Sequence, residues 1–265
     1  MIDLHSHILP GLDDGPDHIE ASVALARAAA TAGTATLVAT PHIRGDYPFD
    51  PARILPAVEE LNARLVGEGI SLEVVPGGEV SITSLLEIDD STLDAVRLGG
   101  GPYVLVESPY THTGELLERT LFEAQIRGLR PLLAHPERSP CFLGDLDRME
   151  RVVDRGVLSS VTAGSMAGRF GKPVYDFTVL LFERGLVHDV ASDAHGAERR
   201  PPGLLAGFER LDEDLPGLLD QADWFTRAAP GAILRGEELP PRPDAPGRRR
   251  RGFGRLVASL GRRGG

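Results

Sequence analysis

Histidines and carboxylates recur along this sequence at spacings that suit metal binding. His5 and His7 lie two positions apart in DLHSH, and Asp193 and His195 repeat this spacing in SDAH. Residues two apart in an extended strand point to the same side, so each pair could hold one ion. The first pair alone could equally be two histidines exposed at a strand end. Its repetition in SDAH favours metal ligation.

Five further candidate ligands follow short apolar runs or turns, and these are Asp14, His42, Glu79, Glu107 and His135. A carboxylate at the end of an apolar strand is costly to desolvate, and a divalent cation would offset that cost. Taken singly, the glutamates could be helix caps or ion-pair partners, and Asp14 in GLDDG could be a turn residue. As a set, histidines with carboxylates favour Mn, Fe or Zn over Ca, and they exceed the needs of one ion. We therefore expect two or three ions.

Clustered cations suit the hydrolysis of phosphoesters, because they lower the pKa of a bound water, neutralise phosphate oxygens and stabilise the leaving oxygen. The phosphate would need positive side chains as well. Arg138 in AHPER and Arg199 beyond SDAH are the candidates for this catalytic role, since a guanidinium matches phosphate geometry. A surface salt bridge is the alternative role, and it fits Arg199, which is next to Arg200, better than Arg138.

Missing motifs favour a metal-activated water as the nucleophile. The sequence contains no GxxxxGK[ST] phosphate loop and no GxSxG nucleophile elbow. A cysteine phosphatase would need the pattern C-x5-R, but Asp147 occupies the arginine position after Cys141, the only cysteine. The single cysteine also excludes a disulfide framework and a cysteine metal cluster.

Short apolar runs alternate with longer helical patterns, which predicts parallel strands joined by crossover helices. The predicted strands are 2–5, 36–39, 72–75, 103–106, 131–134, 158–162 and 186–191. The predicted helices are 19–32, 51–66, 114–127, 146–154, 173–183 and 204–211. About seven such units predict a barrel, and the loops after the strands of a parallel barrel open on one face. The candidate ligands would converge there.

Length and composition bound the organisation of the chain. The 265 residues predict one catalytic domain, residues 1–239, followed by a tail, residues 240–265. A net charge of -11 argues against nucleic acid as a partner. The chain has no signal-like start and no stretch of about 20 apolar residues, so we expect a soluble cytoplasmic protein.

The tail combines prolines with seven arginines from Arg248 onward. One hypothesis is a short basic helix that touches anionic lipid or an acidic segment of a kinase. The other is a flexible, solubilising end, which the prolines and glycines favour.

Seven segments, in this order and spacing, resemble the bacterial PHP-type protein-tyrosine phosphatases of capsule and exopolysaccharide loci, the CpsB/CapC type. They are DLHSHILPGLDDG, ATPH, PGGE, VLVESP, AHPER, TAGSMAGRFG and SDAH. The HxH, HPER and SDAH elements occur in PHP hydrolases broadly, whereas HILPGLDDG and GSMAGRFG point to the tyrosine-phosphatase branch. The similarity extends from Met1 to about Leu239, and the chain differs from the family pattern at Ile43, Gly78 and Gly196.

The resemblance implies a distorted (β/α)7 TIM-like barrel with three divalent ions, usually manganese, with Fe, Zn, Mg or Co as alternatives. One ion would bind His5, His7, Glu79 and Asp193. A second would share Glu79 and add Glu107 and His135, and a third would use Asp14, His42 and His195. Arg138 and Arg199 would bind phosphate. The substrate would be phosphotyrosine on a cognate bacterial tyrosine kinase that controls polysaccharide assembly.

Two other functions are compatible with the same residues. A PHP phosphatase acting on a small metabolite, such as histidinol phosphate, would use the same metals. A regulatory module could keep a metal-bearing barrel without turnover, although the complete set of candidate ligands speaks against it. The sequence also leaves open whether the chain forms an oligomer.

Overall fold

The alternating pattern folds as an α/β structure in which every strand pair is parallel. A computed structural model describes residues 1–48, 50–108 and 114–247. The strands are β1 Ile2–Ser6, β2 Thr36–Ala39, β3 His42–Ile43, β4 Glu73–Pro76, β5 Glu79–Ser81, β6 Tyr103–Glu107, β7 Arg130–Ala134, β8 Leu158–Thr162 and β9 Asp189–Ala191. The α-helices are α1 Ile19–Thr31, α2 Ile54–Gly67, α3 Asp90–Val96, α4 Gly114–Ile126, α5 Leu146–Asp154, α6 Ala163–Met166, α7 Lys172–Glu183, α8 Leu205–Asp212 and α9 Ala229–Arg235.

The strands follow one another around a ring of seven positions. One sheet has the order β1-β2-β4, and the other has the order β3-β5-β6-β7-β8-β9. β2 and β3 form one interrupted strand and β4 and β5 another, because the pairing of Ala39 with Pro76 continues in that of His42 with Glu79. Backbone hydrogen bonds then join β9 to β1: the Asp193 amide donates to the His5 carbonyl at 2.9 Å. The predicted α/β fold is confirmed, and the ring matches the predicted (β/α)7 arrangement.

The interruption between β4 and β5 depends on two glycines. A Cβ on Gly77 would lie 2.9 Å from a methyl carbon of Val38, and one on Gly78 would lie 2.8 Å from Val96. Contacts this short do not occur between carbon atoms, so larger residues would push the strand away. Gly78, one of the departures from the family pattern, thus permits the close contact between this strand and Val96.

A small apolar cluster fills the inside of the ring, and a larger one lies between the strands and the helices. The inner cluster contains Leu4, Val38, Leu105 and Leu132, all with no exposed surface. Ile233 of α9 belongs to the same cluster and closes the ring at the amino ends of the strands. The carboxyl ends are left for polar side chains, as in other parallel barrels.

The sequence predicted most of the long elements to within a few residues, but it missed several short ones and one longer helical segment, in which a π-helix, Trp224–Ala228, continues directly into α9. The strand predicted from Leu186 begins only at Asp189, and the helix predicted from Pro51 begins with a 3-10 turn before Ile54. The unpredicted elements are β3, β5, α3, α6 and α9, which have two to seven residues each. Segments this short carry too few residues to show a periodicity.

The first residues of the predicted tail lie against the body of the protein. Residues 240–247 form neither helix nor strand. The Arg242 guanidinium donates to the carbonyls of Gly185 and Val187, and it lies 5.6 Å from the centre of the Trp224 ring. The arginine-rich part, from residue 248 onward, lies outside the described residues. No helix in the described ranges is long and apolar enough to cross a membrane.

Candidate metal centre

All nine candidate ligands lie near one another at the carboxyl ends of the strands or in the loops that follow. Within the described ranges they form four overlapping groups, in each of which the potential ligand atoms lie within 4.8 Å of one another. The groups are His5, His7 and Asp193; His5, Glu79 and His135; His42, Glu79 and Glu107; and His7, Asp14, His42 and His195. Residues separated by almost the whole length of the domain therefore converge, as the barrel topology predicts.

Glu79, at the start of β5, lies at the centre of these groups. Its Oε1 accepts a hydrogen bond from His135 Nε2 at 2.9 Å. Its Oε2 lies 3.4 Å from His5 Nε2, 3.5 Å from His7 Nε2 and 2.9 Å from His42 Nδ1. The side chain is fully buried, yet Oε2 accepts no hydrogen bond. A buried carboxylate oxygen that faces three imidazole nitrogens without a donor is well suited to a divalent cation.

The pKa of Glu79 follows from the same geometry. Burial alone would raise the pKa of this carboxyl, but the charge of His5 and the adjacent imidazoles of His135 and His42 hold it well below its usual range. Glu79 is therefore ionised at neutral pH. Its negative charge in turn helps burial to raise the pKa of Glu107, which ends β6.

The grouping differs in detail from the one that the family resemblance implies. In the grouping that the resemblance implies, Glu107 and His135 bind the same ion as Glu79. In the structure, His135 groups with His5, Glu107 groups with His42, and Glu79 belongs to both groups. The division of the nine residues among three ions thus stays a prediction.

Asp193 links the candidate ligands to two arginines. Its Oδ1 lies 3.4 Å from His5 Nε2 and 3.3 Å from His7 Nε2. Its Oδ2 accepts from Arg138 Nη1 at 2.8 Å and from Arg200. Burial would raise the pKa of Asp193, but the charge of His5, a hydrogen bond from His7 and the charge of Arg138 keep it well below its ordinary value.

Two candidate ligands have strained backbones. Asp193 has φ 53° and His135 has φ 35°, in the left-handed region that residues other than glycine seldom adopt. Such strain persists only where the surroundings hold it in place, and it is common at functional sites. Burial, followed by the nearby charge of Arg138, lowers the pKa of His135 to about 4, so its imidazole is neutral and available as a ligand.

Asp13, which the sequence analysis did not single out, orients two of the candidate ligands. His7 Nδ1 donates to Asp13 Oδ2 at 2.6 Å, and the His42 amide donates to the same oxygen at 3.0 Å. Burial would raise the pKa of Asp13, but the hydrogen bond from His7 outweighs it and the pKa is lowered. A carboxylate on the far nitrogen of a histidine fixes its tautomer and turns the other nitrogen towards a metal. Gly15 permits the tight turn, since a Cβ there would lie 2.1 Å from the His7 carbonyl oxygen.

The group formed by His7, Asp14, His42 and His195 is the most accessible to solvent. Asp14 is 45% exposed, and its Oδ1 lies 3.2 Å from His195 Nε2 and 3.5 Å from His42 Nε2. The hydrogen bond from His195 is the main reason that the pKa of Asp14 is lowered. Tyr47 stacks on His42, with ring centres 5.2 Å apart.

A cavity of about 500 Å³ opens above these residues. Its walls include Arg44, Arg138 and Arg200, together with Phe170 and Val174. The guanidinium of Arg138 lies 4.7 Å from the centre of the Phe170 ring. Cationic and apolar surfaces therefore meet at the mouth of the site.

Of the two arginines predicted to bind phosphate, only Arg138 lines this cavity. Arg138 lines the cavity, whereas Arg199 is exposed and is not part of the lining. Its neighbour Arg200 is in the lining and contacts His195 Nε2 at 2.8 Å. Arg44, whose Nη1 lies 3.1 Å from Glu107 Oε2, is a further cation that the sequence analysis did not name. A role for Arg199 stays a prediction.

Glu137 ties the HPER loop to the TAGSMAG segment. It is fully buried and accepts hydrogen bonds from the Thr162 amide and hydroxyl at 3.0 Å and from the Ser165 hydroxyl at 2.6 Å. Because Glu137 lies between His135 and Arg138, these bonds hold both in position.

Comparison with known proteins agrees with this geometry. Residues 1–217 match the family described as "Capsular polysaccharide synthesis, CpsB/CapC". The chain belongs to this family. The family membership that the sequence motifs predicted is thereby confirmed.

Named relatives extend over most of the chain. The tyrosine-protein phosphatase YwqE of Bacillus subtilis is 35% identical over 259 residues, which cover 96% of this chain and 99% of YwqE. The putative tyrosine-protein phosphatase CapC of Staphylococcus aureus is 30% identical over 202 residues, 76% of this chain and 79% of CapC. These relatives are named as tyrosine phosphatases.

A solved structure shows the same fold. It is described under YwqE from Bacillus subtilis and CpsB from Streptococcus pneumoniae, "unique metal-dependent tyrosine phosphatases". It superposes with a TM-score of 0.82 at 34% identity, and the match covers 94% of this chain and all of that chain. The family thus includes metal-dependent phosphatases, and this chain has several groups of residues that could bind metal ions.

Proposed function

We propose that this protein is a metal-dependent protein-tyrosine phosphatase, and that its substrate is phosphotyrosine on a bacterial tyrosine kinase that regulates capsule or exopolysaccharide synthesis. One observation carries the proposal. The buried Oε2 of Glu79, which lacks a hydrogen-bond donor, faces three imidazoles beneath a cavity walled by arginines. The names of the CpsB/CapC relatives support the same activity.

The nine candidate ligands would hold three divalent ions, with manganese as the first choice. The residues fit such ions, because they combine imidazoles and carboxylates, and because Glu79 can bridge two groups. When bound, the ions would supply a nucleophilic hydroxide at neutral pH and neutralise charge on the phosphate. Asp13 would keep Nε2 of His7 directed at the ions through its bond to Nδ1.

Arginines at the cavity would bind the phosphate group. Arg138 and Arg200 both contact Asp193 Oδ2, so their guanidinium groups are held close to the candidate ligands. Planar guanidinium groups match phosphate oxygens in pairs of hydrogen bonds, and they stabilise the additional charge that develops during transfer. Arg199 is exposed and is therefore a weaker candidate for phosphate binding than its neighbour Arg200.

The wall formed by Phe170 and Val174 favours an aromatic leaving group. A tyrosyl ring could pack there while its phosphate reaches the arginines. Tyrosine has a pKa of about 10, so its phenolate departs without a strong general acid, unlike the alkoxide of serine or of a sugar. These features favour aryl phosphates over alkyl phosphates.

The test is release of phosphate from a phosphotyrosine peptide by the purified protein with Mn²⁺, alongside histidinol phosphate as a second substrate. We expect release from the peptide, and its loss with a chelator and in His135→Ala. His18→Ala is the matched control. His18 is 65% exposed, and its side chain contacts Glu20 and the Ala21 amide rather than a candidate ligand. Turnover of histidinol phosphate but not of the peptide, or no turnover despite bound metal, would refute the proposal.

A further inference from the structure

A second cavity, of about 220 Å³, lies beside the first. Ile43, Tyr47, Pro48 and Ile88 give it apolar walls, and Glu87 lies at its exposed rim. It is formed by the loops that follow β3 and β5, and therefore opens at the same end of the barrel as the candidate metal centre. None of these residues has a role in the function proposed above.

The two cavities share one wall. Arg44 lines both of them, and Tyr47 of the second cavity stacks on His42 of the first. The side chains of Arg44, Tyr47 and His42 therefore lie between the two cavities. Because an extended peptide advances about 3.3 Å per residue, a substrate with its phosphotyrosine in the first cavity would place a nearby residue at the second.

Charge decides which side chain the second cavity suits. The Arg44 guanidinium already contacts Asp46 at 2.7 and 2.8 Å and Glu107 at 3.1 Å, so its charge is balanced. Glu87, in contrast, has no Lys, Arg or His nitrogen within 4 Å in the part of the chain that the structure describes. The cavity thus combines apolar walls with the polar side chains of Ser84 and the charge-balanced Arg44, and Glu87 adds a negative charge at the rim.

We infer that this second cavity binds a lysine or arginine side chain of the protein substrate, at a position close to the phosphotyrosine. The aliphatic stem of such a residue would lie against Ile43 and Ile88, and its charged end would reach Glu87, as long basic side chains do on apolar surfaces. The inference rests on the proposed function, because it names a determinant of that substrate.

The test uses phosphotyrosine peptides in which one lysine is moved through the three positions on either side of the phosphotyrosine, each paired with a glutamine peptide. The value of kcat/KM is measured for wild type, Glu87→Gln, Glu87→Lys and the control Glu59→Lys, which makes the same charge change at an exposed site on α2. Hydrolysis of p-nitrophenyl phosphate, which has no flanking residue, is measured in parallel.

We expect lysine at one position to raise kcat/KM about two- to five-fold over glutamine, the size of an exposed ion pair. This ratio should fall to about one in Glu87→Gln, fall below one in Glu87→Lys and stay unchanged in Glu59→Lys. Equal rates on p-nitrophenyl phosphate would show that the catalytic site is intact.

Two outcomes would overturn the inference while the proposed function stands: no preference at any position, or a preference that survives in Glu87→Gln. If wild type hydrolyses neither the peptides nor p-nitrophenyl phosphate with Mn²⁺, the proposed function fails, and this inference fails with it.

Discussion

At the carboxyl ends of its strands the barrel groups buried carboxylates with imidazoles, whereas towards the amino ends the inside of the ring is filled by an apolar cluster. Glu79 and Asp193 are at most 2% exposed, and each lies within 3.5 Å of two or more imidazoles. At the other end, Leu98 and Ile233 have no exposed surface and complete the inner apolar cluster. The same ring of strands therefore ends in two chemically opposite surfaces.

This difference separates function from stability. Burying a carboxylate costs free energy unless a cation or donors compensate for it, so the charged end is maintained at a cost. Apolar burial stabilises the fold directly. We therefore expect substitutions at the carboxyl end to abolish activity in a folded protein, and substitutions at the amino end to lower stability in an active one.

The largest effect is expected at Glu79, which belongs to two of the four groups. Glu79→Gln should lower kcat/KM on a phosphotyrosine peptide by at least about 100-fold, beyond the 10–100-fold typical of residues that only support metal ligands. The amount of manganese that copurifies should fall as well. Glu73→Gln, at an exposed position on the neighbouring β4, serves as the control. Full activity and metal content in Glu79→Gln would remove the basis of the proposed centre.

Asp13 should show the next largest effect, through His7. Asp13→Asn replaces an acceptor with a group that no longer fixes the tautomer of the imidazole, so Mn²⁺ affinity, measured by calorimetry, should fall about 10–100-fold. Asp17→Asn, an exposed aspartate in the same loop, should bind manganese like wild type. If Asp13→Asn lowers the free energy of unfolding of the chelated protein but leaves manganese affinity unchanged, Asp13 is a structural residue only.

The candidate ligands could be predicted from sequence because they depend on a simple rule. His5, Glu107 and His135 follow strong apolar runs, and the ends of parallel strands meet at one face whatever the details of packing. Most of the long strands and helices were predicted within a few residues for a different reason, because their apolar periodicity extends over enough residues to be recognised.

Other parts of the site depend on loop paths that local sequence does not reveal. Asp13 and Asp14 look alike in GLDDG, yet Asp13 contacts His7 whereas Asp14 lies between His42 and His195. Arg200, rather than its neighbour Arg199, lines the cavity. Its backbone is left-handed, with φ 55°, although the residue is not a glycine that would mark such a turn in the sequence. Such turns are set by tertiary contacts, which act only once the barrel has formed.

At the amino end, Arg242 provides the third test. Arg242→Met keeps an aliphatic chain against Trp224 but leaves the carbonyls of Gly185 and Val187 without a donor. Each unsatisfied buried carbonyl costs about 1–3 kcal/mol, so the loss of the donor to both should lower the free energy of unfolding by about 2–6 kcal/mol. The value of kcat/KM should stay within about two-fold of wild type. Arg235→Met, at an arginine that is 60% exposed, is the control. Lost activity at unchanged stability would contradict the separation of the two ends.

His188, which precedes β9 at the amino end, should make the smallest contribution, visible only as a pH dependence. Its Nδ1 accepts from the Ser159 amide at 3.2 Å, which requires a neutral ring facing that amide. Burial, and then the charge of Arg242, lowers the pKa of His188 to about 3. The unfolded chain binds a proton near pH 6.5 and the folded one does not. Stability from this group is therefore present above pH 6.5 and is lost as the pH falls towards 3.

Buried carboxyls oppose this trend, since burial raises the pKa of Asp3 to about 6, so the measurement must be a difference. Urea unfolding of the chelated protein should be compared between wild type and His188→Gln, which keeps an acceptor for Ser159. Between pH 6 and pH 4, wild type should lose up to about 1.4 kcal/mol per pH unit relative to the variant. If stability depends on pH in the same way in wild type and in His188→Gln, the imidazole has the same pKa in the folded and the unfolded chain. In that case burial would not be what keeps the His188 imidazole neutral in the folded protein.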